Sequence, residues 1–472
     1  MSTKVLKNAS SLLLVQIINP LLGMAFVIAL ARITGAAGLG EYTFALSMVA
    51  IFEGIAGLGL RNYMIREIGK NQTRWHAIFT SNMALGVASA LAAQAIMIVS
   101  ANVIGYDKEI LHGLFLISFS LVPTVVLYVL TSTLYAFDRM TASSIVQIME
   151  TAVRVVLGLA AIYFGLGMSW LLVSFVASRT IAAIMTWWMQ RRHVGKVRLV
   201  WDQEIFHALL KIAPTFAGMA ILAAIYWRVN ILMLSRLVSA EAVGHFSAGY
   251  RLMDLLTFIG GGVLTAIYPA LTRMFHHARE NFRLLIDKCV QYTIMGYLPV
   301  VVLVHALSEK ILTLFYGPDF AAAATGLQIL IWITLPYTFA KLFANTLVIA
   351  GRAHLDLRVN IYRLVWNVAL NYFLIAQFGM LGACFATLLS IMASVFLQMY
   401  YLRDVALPAM RLSQLLKPAA ATLAMLCVLQ LTNAWHVLPQ LVLAVAVYLV
   451  VLLLLKPFDP EDRRMFECLG HA

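Results

Sequence analysis

Fourteen stretches of the chain are apolar over a length that can cross a bilayer. They run 8–31, 42–65, 77–103, 111–136, 142–164, 169–190, 207–233, 243–270, 288–308, 324–350, 357–377, 380–401, 418–435 and 438–455. A membrane-spanning helix needs ~20 such residues. The polar segments between them are short, and the longest on the side opposite the termini, about 309–323, leaves no room for an inserted soluble domain. The first stretch is too long for the core of a signal peptide, and no small-residue cleavage site follows it, so it is expected to remain as the first helix. The pattern predicts an all-α integral membrane protein with about 14 transmembrane helices.

Lys and Arg collect in cytoplasmic loops. With the N-terminus inside, the tail and alternate loops hold 21 basic residues, from Lys4 and Lys7 to Arg411, Lys417, Lys456, Arg463 and Arg464, and the opposite loops hold only Arg32, Lys108, Arg236 and Lys310. This asymmetry predicts that both termini are cytoplasmic and that the number of crossings is even. A shift of 204 lays residues 7–60 on 211–264 without a gap, with identities that include Lys7/Lys211, Arg32/Arg236, Gly40/Gly244, Gly57/Gly261 and Leu60/Leu264. At a slightly different offset Arg139 falls on Arg352. The expected organisation is a six-helix lobe over 1–200, a second over 201–414 in parallel pseudo-twofold repeat, and two extra helices with a cytoplasmic tail over 415–472. Transporters are commonly built from such repeats, with the substrate site near midplane.

Composition sharpens this picture. Of 472 residues, 62% are hydrophobic and 12% charged, against ~45–50% and ~25% in an average soluble domain. A soluble enzyme and a disordered chain are excluded. The net charge of +13 would suggest nucleic acid on a polar surface, but there is little polar surface to carry it, so no nucleic-acid partner is expected. Cys289, Cys384, Cys427 and Cys468 show no metal-ligand spacing, so neither a zinc site nor a disulfide framework is expected, and no cofactor is called for.

The informative charges lie inside the apolar stretches: Arg61, Arg154, Arg179, Lys211, Arg228, Arg251, Lys288, Lys341 and Arg363, against only Glu53, Glu150 and Asp254. Lys211, Lys288 and Arg61 lie near helix ends, where snorkelling explains them; Arg61 also follows the glycines Gly54, Gly57 and Gly59 and could face inward. The other six would cost on the order of 15–20 kcal/mol together if they faced lipid. Glu150–Arg154 and Arg251–Asp254 stand at helical pair spacings and can be self-neutralised structural pairs. Arg179, Arg228, Lys341 and Arg363 have no acid within a helical turn. Asn230, Asn345 and the stripe Asn360, Asn367 and Asn371 accompany three of them, and Gln147 and Thr151 flank Glu150 and Arg154. These stripes are expected to line a cavity. A basic, amide-rich cavity suits a phosphate- or carboxylate-bearing amphiphile, because Arg can grip phosphate through paired hydrogen bonds. Pro20, Pro123, Pro214, Pro269, Pro299, Pro336 and Gly260–Gly262 are either seats of flexibility or static kinks and close packing. Trp75, Trp187, Trp188 and Trp201 read as interfacial anchors.

The run over residues 8–70 resembles the polysaccharide (O-antigen) flippase family. The carrying features are Arg32–Ile–Thr–Gly35, the Gly38–Leu–Gly–Glu–Tyr42 turn, and Gly57–Leu–Gly–Leu–Arg61 before a basic loop. The family shares a superfamily with lipid II flippases and multidrug cation exporters. The resemblance implies two six-helix lobes in a V around a central cavity in the inner membrane. It implies alternating-access transport of undecaprenyl-pyrophosphate-linked sugar repeat units for O-antigen, capsule or exopolysaccharide synthesis, beside the polymerase and glycosyltransferases of the pathway. Arg154, Arg228, Arg251, Lys341 and Arg363 are similar in role to the family's lumen arginines, with Arg61 and Arg179 as further candidates. Glu53, Glu150 and Asp254 are the candidates for ion coupling. A multidrug cation antiporter of the same fold would place unpaired acids in the cavity, whereas here bases exceed acids. An integral-membrane ligase or polymerase would carry a large outer loop, and no nucleophile–base pair is defensible.

Overall fold

A backbone inside a bilayer finds no water to bond, so each apolar stretch must close its hydrogen bonds within itself as a helix. The computed structural model describes residues 3–405 and 412–456, and every regular element in them is helical. Arg411, Arg463, Arg464 and Cys468 lie outside the described residues. Each of the fourteen predicted stretches coincides with helix. Among the described residues, eleven helical segments are long and apolar enough to cross a membrane; one of them, Ser10–Lys70, contains two of the stretches. The remaining two stretches correspond to a helix over 353–378, whose charged residues dilute its apolarity, and to the shorter Leu415–Leu431.

The chain packs as two units, Met1–Gly244 and His245–Ala472. The first holds α1 (Thr3–Ala56), α2 (Arg61–Lys70), α3 (Trp75–Ile104), α4 (Lys108–Ser118), α5 (Leu121–Ala136), α6 (Met140–Tyr163), α7 (Met168–His193), α8 (Gln203–Leu237) and the opening turn of α9 (Ala240–His277). Within it α1 runs against α3, α6 and α8, and α5 against α2, α3 and α7. At one end of the unit Met64, Ile68, Trp75, Ile78, Phe79, Val129 and Leu130 form a buried cluster. Trp75 belongs to this core, edge-on to Phe137 at 5.8 Å, and so is not an interfacial anchor. The second unit continues α9 through α10 (Arg279–Ala306), α11 (Ser308–Tyr316), α12 (Ala324–Ile331), α13 (Thr334–Ile349), α14 (Ala353–Phe378), α15 (Met380–Leu402), α16 (Leu412–Leu431) and α17 (Val437–Leu454). Here α15 packs on α12, α13 and α14, and α16 and α17 pack on α10 around Met425, Leu429 and Tyr448. Lys288 is buried at 1% exposure, so it does not snorkel; Lys211 and Arg61 are exposed.

The helix breaks repeat with the sequence. Gly35, at φ 68°, interrupts α1, and the chain breaks between Leu237 and Ala240, around the position 204 residues later. Likewise Phe119–Ser120 separates α4 from α5, and Trp332–Ile333 separates α12 from α13, 213 residues on. Pro123 and Pro336 each stand third in the helix after the break. The first turn has no intrahelical N–H bond to lose, so these two prolines set helix starts and do not kink helix interiors.

Asp202 caps α8, its Oδ1 accepting from the N–H groups of Glu204 and Ile205 at 3.1 Å, while Oδ2 accepts from Arg74 at 2.7 Å. The Arg74 guanidinium, helped by the two amides, holds this carboxyl below its usual range. A lowered folded-state pKa contributes stability above the unfolded value and loses it as pH falls through the folded one. The thermal midpoint of Asp202→Ala should therefore lie below that of the parent by a constant margin at neutral pH, and the margin should close below about pH 4. Thermal unfolding at several pH values checks this.

Candidate functional site: a charged pocket in the first unit and a basic ladder in the second

Three helices of the first unit bring three charges to one point. Glu53 stands near the end of α1, Glu150 in the middle of α6 and Arg179 in the middle of α7. Arg179 Nη2 lies 3.5 Å from Glu53 Oε1, and Nη1 lies 3.2 Å from Glu150 Oε1. The Thr124 hydroxyl donates to Glu53 Oε1 at 3.3 Å, and the Phe175 ring lies 5.3 Å from the guanidinium. Side-chain exposures of 17% for Arg179, 14% for Glu53 and 12% for Glu150 place this among buried ion pairs, where the interaction is strong and desolvation is costly. The Glu150–Arg154 pairing that the helical spacing suggests is not made: the cation on Glu150 is Arg179, and Arg154 stands half-buried one turn further along α6.

Glu53 also lines a pocket of about 360 Å³ with Gly57, Arg61, Asn82, Tyr128 and Ser132. The pocket exists because α1 ends at Ala56 and the chain turns through Leu58 (φ 49°) and Gly59 (φ 62°) before α2 begins. Gly59 is required twice over, by its positive φ and because a Cβ there would stand 2.7 Å from the Phe216 carbonyl of α8. Arg61 opens α2 with its guanidinium 5.0 Å from the Tyr135 ring centroid. Gln147, one turn before Glu150, donates to the Ser143 hydroxyl at 3.1 Å. Arg228 is half-buried on α8. Among the described residues no carboxylate lies within 4 Å of Arg61, Arg154 or Arg228 in an ion pair. Sequence reasoning missed Thr124, Tyr128 and Asn82. The one usable signal was scarcity: with so few acids at membrane depth, each had to meet a buried base.

In the second unit the bases are spread along the helices. Arg251 is exposed and Asp254 half-buried on α9. Lys341 of α13 lays its ammonium over Gly261, 2.6 Å from where a Cβ would stand, and Asn345 is half-buried one turn on. Gly260, with the Thr338 hydroxyl, faces an apolar cavity of about 410 Å³ between α9 and α10. The glycine run thus makes room for side chains of α10 and α13. On α14, Arg363 Nη2 donates to Asn360 Oδ1 at 2.9 Å, and Asn360 Nδ2 donates to Asp356 Oδ2 at 3.0 Å. Asn367 and Asn371 are buried where α14 packs on α15; Asn371 donates to Asn367 and Asn367 to Ser390. They belong to helix packing and do not line an open cavity as the stripe suggested. Cys289 and Cys384 are buried thiols, and no group of three or more His, Cys, Asp or Glu among the described residues could hold a metal.

This is a multi-pass membrane protein with a buried charge cluster in its first unit. The family model described as "Polysaccharide biosynthesis protein" matches residues 5–275, more than half the chain, and the protein belongs to that family. A second model, described as MatE, matches residues 214–373. A Shigella flexneri protein named as an O-antigen transporter is 22% identical over 389 residues, covering 79% of this chain and 92% of its own. Among solved structures, lipid II flippase MurJ in an inward closed conformation superposes with a TM-score of 0.78 at 14% identity, over 93% of this chain and 97% of its own. An inward-facing multidrug resistance MATE family transporter of the MOP superfamily gives 0.65 at 15% identity, over 82% and 94%. The fold is the one these transporters share.

Proposed function

We propose that the protein is a flippase that carries undecaprenyl-pyrophosphate-linked oligosaccharide units across the inner membrane by alternating access, for cell-surface polysaccharide synthesis. The observation that carries this reading is the use of acid in the first unit. Both membrane-depth carboxylates, Glu53 and Glu150, are taken up by Arg179, so among the described residues Arg61, Arg154 and Arg228 stand without a carboxylate partner. Uncompensated bases at this depth suit an anion such as a pyrophosphate. In the second unit Lys341 lies over Gly261, and the neighbouring Gly260 lines an apolar cavity; a base and an apolar cavity on adjacent residues suit the junction between a charged head and a hydrocarbon tail. The names borne by the O-antigen transporter and lipid II flippase relatives agree with this. On this reading residues 1–200 and 201–414 act as the two moving lobes, the termini are cytoplasmic, and polymerase and glycosyltransferases of the same pathway are the working partners. Glu53 and Glu150 share one guanidinium, which leaves one negative charge for a coupling cation; Asp254 is the alternative seat.

The MatE match favours a second reading, a cation antiporter. It is weaker, because at membrane depth in the first unit Arg61, Arg154, Arg179 and Arg228 outnumber Glu53 and Glu150, and Arg179 already engages both acids. Proteoliposomes loaded with a fluorescent polyprenyl-pyrophosphate oligosaccharide distinguish the two. Flipping should be seen with this probe and not with a cationic dye. Arg228→Gln, Lys341→Gln and Arg363→Gln together should slow it at least about tenfold, with normal membrane insertion. Unchanged flipping in the triple variant would refute the cationic reading.

A further inference from the structure

Three of the four tryptophans read as anchors frame something more specific. Trp187 and Trp188 lie near the end of α7, exposed at 45% and 55%, and Trp201 lies in the following loop. Beside Trp187 is a cavity of about 510 Å³, floored by Met83 of α3 and Val126 and Leu130 of α5. Its walls are Ala183 and Trp187 of α7 and Leu199 of the loop, and Arg191 stands at its mouth. The loop is held in place as a wall: the Arg198 N–H donates to His76 Nδ1 at 3.2 Å, the Val200 N–H donates to the Thr80 hydroxyl at 3.3 Å, and Gln190 donates to the Gly195 carbonyl at 3.1 Å.

The mouth is strongly basic. Arg191, Arg192, Lys196 and Arg198 fall within eight residues, all exposed, and residues 184–201 contain no Asp or Glu. The nearest acids in sequence, Asp202 and Glu204, are engaged by Arg74 at 2.7 and 3.9 Å. The Arg191 guanidinium lies 4.1 Å from the Trp187 ring centroid and that of Arg192 5.4 Å from the Trp188 ring. A guanidinium stacked on an indole keeps its N–H edge free for phosphate.

From this pocket we infer a binding site for an anionic phospholipid, with an acyl chain in the cavity between α3, α5 and α7 and the phosphate on Arg191 and the bases beside it. The apolar cavity selects a chain, so a free phosphate gains nothing from it. The basic mouth selects a lipid of net negative charge, because a zwitterionic headgroup carries its own cation to its phosphate. Basic pockets between transmembrane helices commonly take such headgroups. The site is separate from the Glu53–Arg179–Glu150 cluster and does not depend on the substrate proposed above.

Native mass spectrometry of the full-length protein in detergent, titrated with dioleoyl-phosphatidylglycerol or dioleoyl-phosphatidylcholine, tests the site. The wild type should retain the anionic lipid at least about tenfold better, because each nearby base adds attraction for an anionic headgroup. Arg191→Gln, Lys196→Gln and Arg198→Gln together should bring the two lipids to parity. Leu199→Glu changes a residue 83% exposed, so folding is spared, and it should remove the anionic preference by placing a carboxylate at the mouth. Inorganic phosphate should not displace the bound lipid. Equal retention of both lipids by the wild type, a preference that survives either variant, or displacement by phosphate would overturn the inference.

Discussion

Arg179→Ala should destabilise the protein by ~3–5 kcal/mol, the usual cost of removing one partner from a buried charge set. Two carboxylates at 14% and 12% exposure would be left facing each other inside the membrane. The responses of the acids should be unequal in an informative way. Glu53→Gln or Glu150→Gln alone leaves one guanidinium opposite one carboxylate, a neutral pair, and should move the thermal midpoint little. The double change leaves Arg179 without a carboxylate and should be about as damaging as Arg179→Ala. Adding Arg179→Met to the double glutamine variant should recover most of the loss, since no buried charge then remains. Thermal unfolding of the five purified variants gives the order. A double variant no worse than the singles would show that Arg179 has other support.

The bases of this site were legible as residue types and depths, and their partners were not. Glu150 and Arg154 are four apart on one helix, which is the best a local rule can offer. Arg179 reaches Glu150 instead because α7 packs along α6, and no spacing within a helix encodes that. The Asn360–Asn371 stripe fails for the same reason. A polar stripe marks a face, but whether that face meets a cavity or a neighbour is a tertiary fact. In α14 the face divides, with Asn360 and Arg363 linked to Asp356 and with Asn367 and Asn371 buried against α15.

The fold was more legible, because apolar length is a direct physical requirement of the bilayer. What apolarity cannot show is an interruption inside an oily run. The breaks at Phe119–Ser120 and Trp332–Ile333 sit among hydrophobic residues, and only the prolines three positions on, Pro123 and Pro336, mark them. Their equal separation shows the value of the repeat: a proline that is ambiguous alone becomes a helix start when its counterpart recurs at the same offset.

The repeat also locates a very close backbone approach in the first unit, and with it the second large effect. Ala36 and Gly40 of α1 are related to Ala240 and Gly244 of α9 by the same shift of 204, and both pairs are identical across it. A Cβ built on Gly40 would run into the Ala240 carbonyl, and one built on Gly244 would run into the Ala36 carbonyl. The contact is therefore reciprocal, two small-xxx-small pairs facing each other, the arrangement that lets membrane helices touch backbone to backbone. Gly40→Val or Gly244→Val must push the helices apart, because a carbonyl cannot rotate away as a side-chain tip can. Each should cost ~1–3 kcal/mol or more, and the reciprocity of the contact predicts nearly equal losses. The double variant should cost clearly less than the two together, since the first substitution already opens the gap that the second needs. Gly23→Val, at a helical position with open space around it, is the control and should lower the midpoint far less. Additive losses, or a Gly40 variant as stable as the control, would mean that the two backbones are not held in this contact.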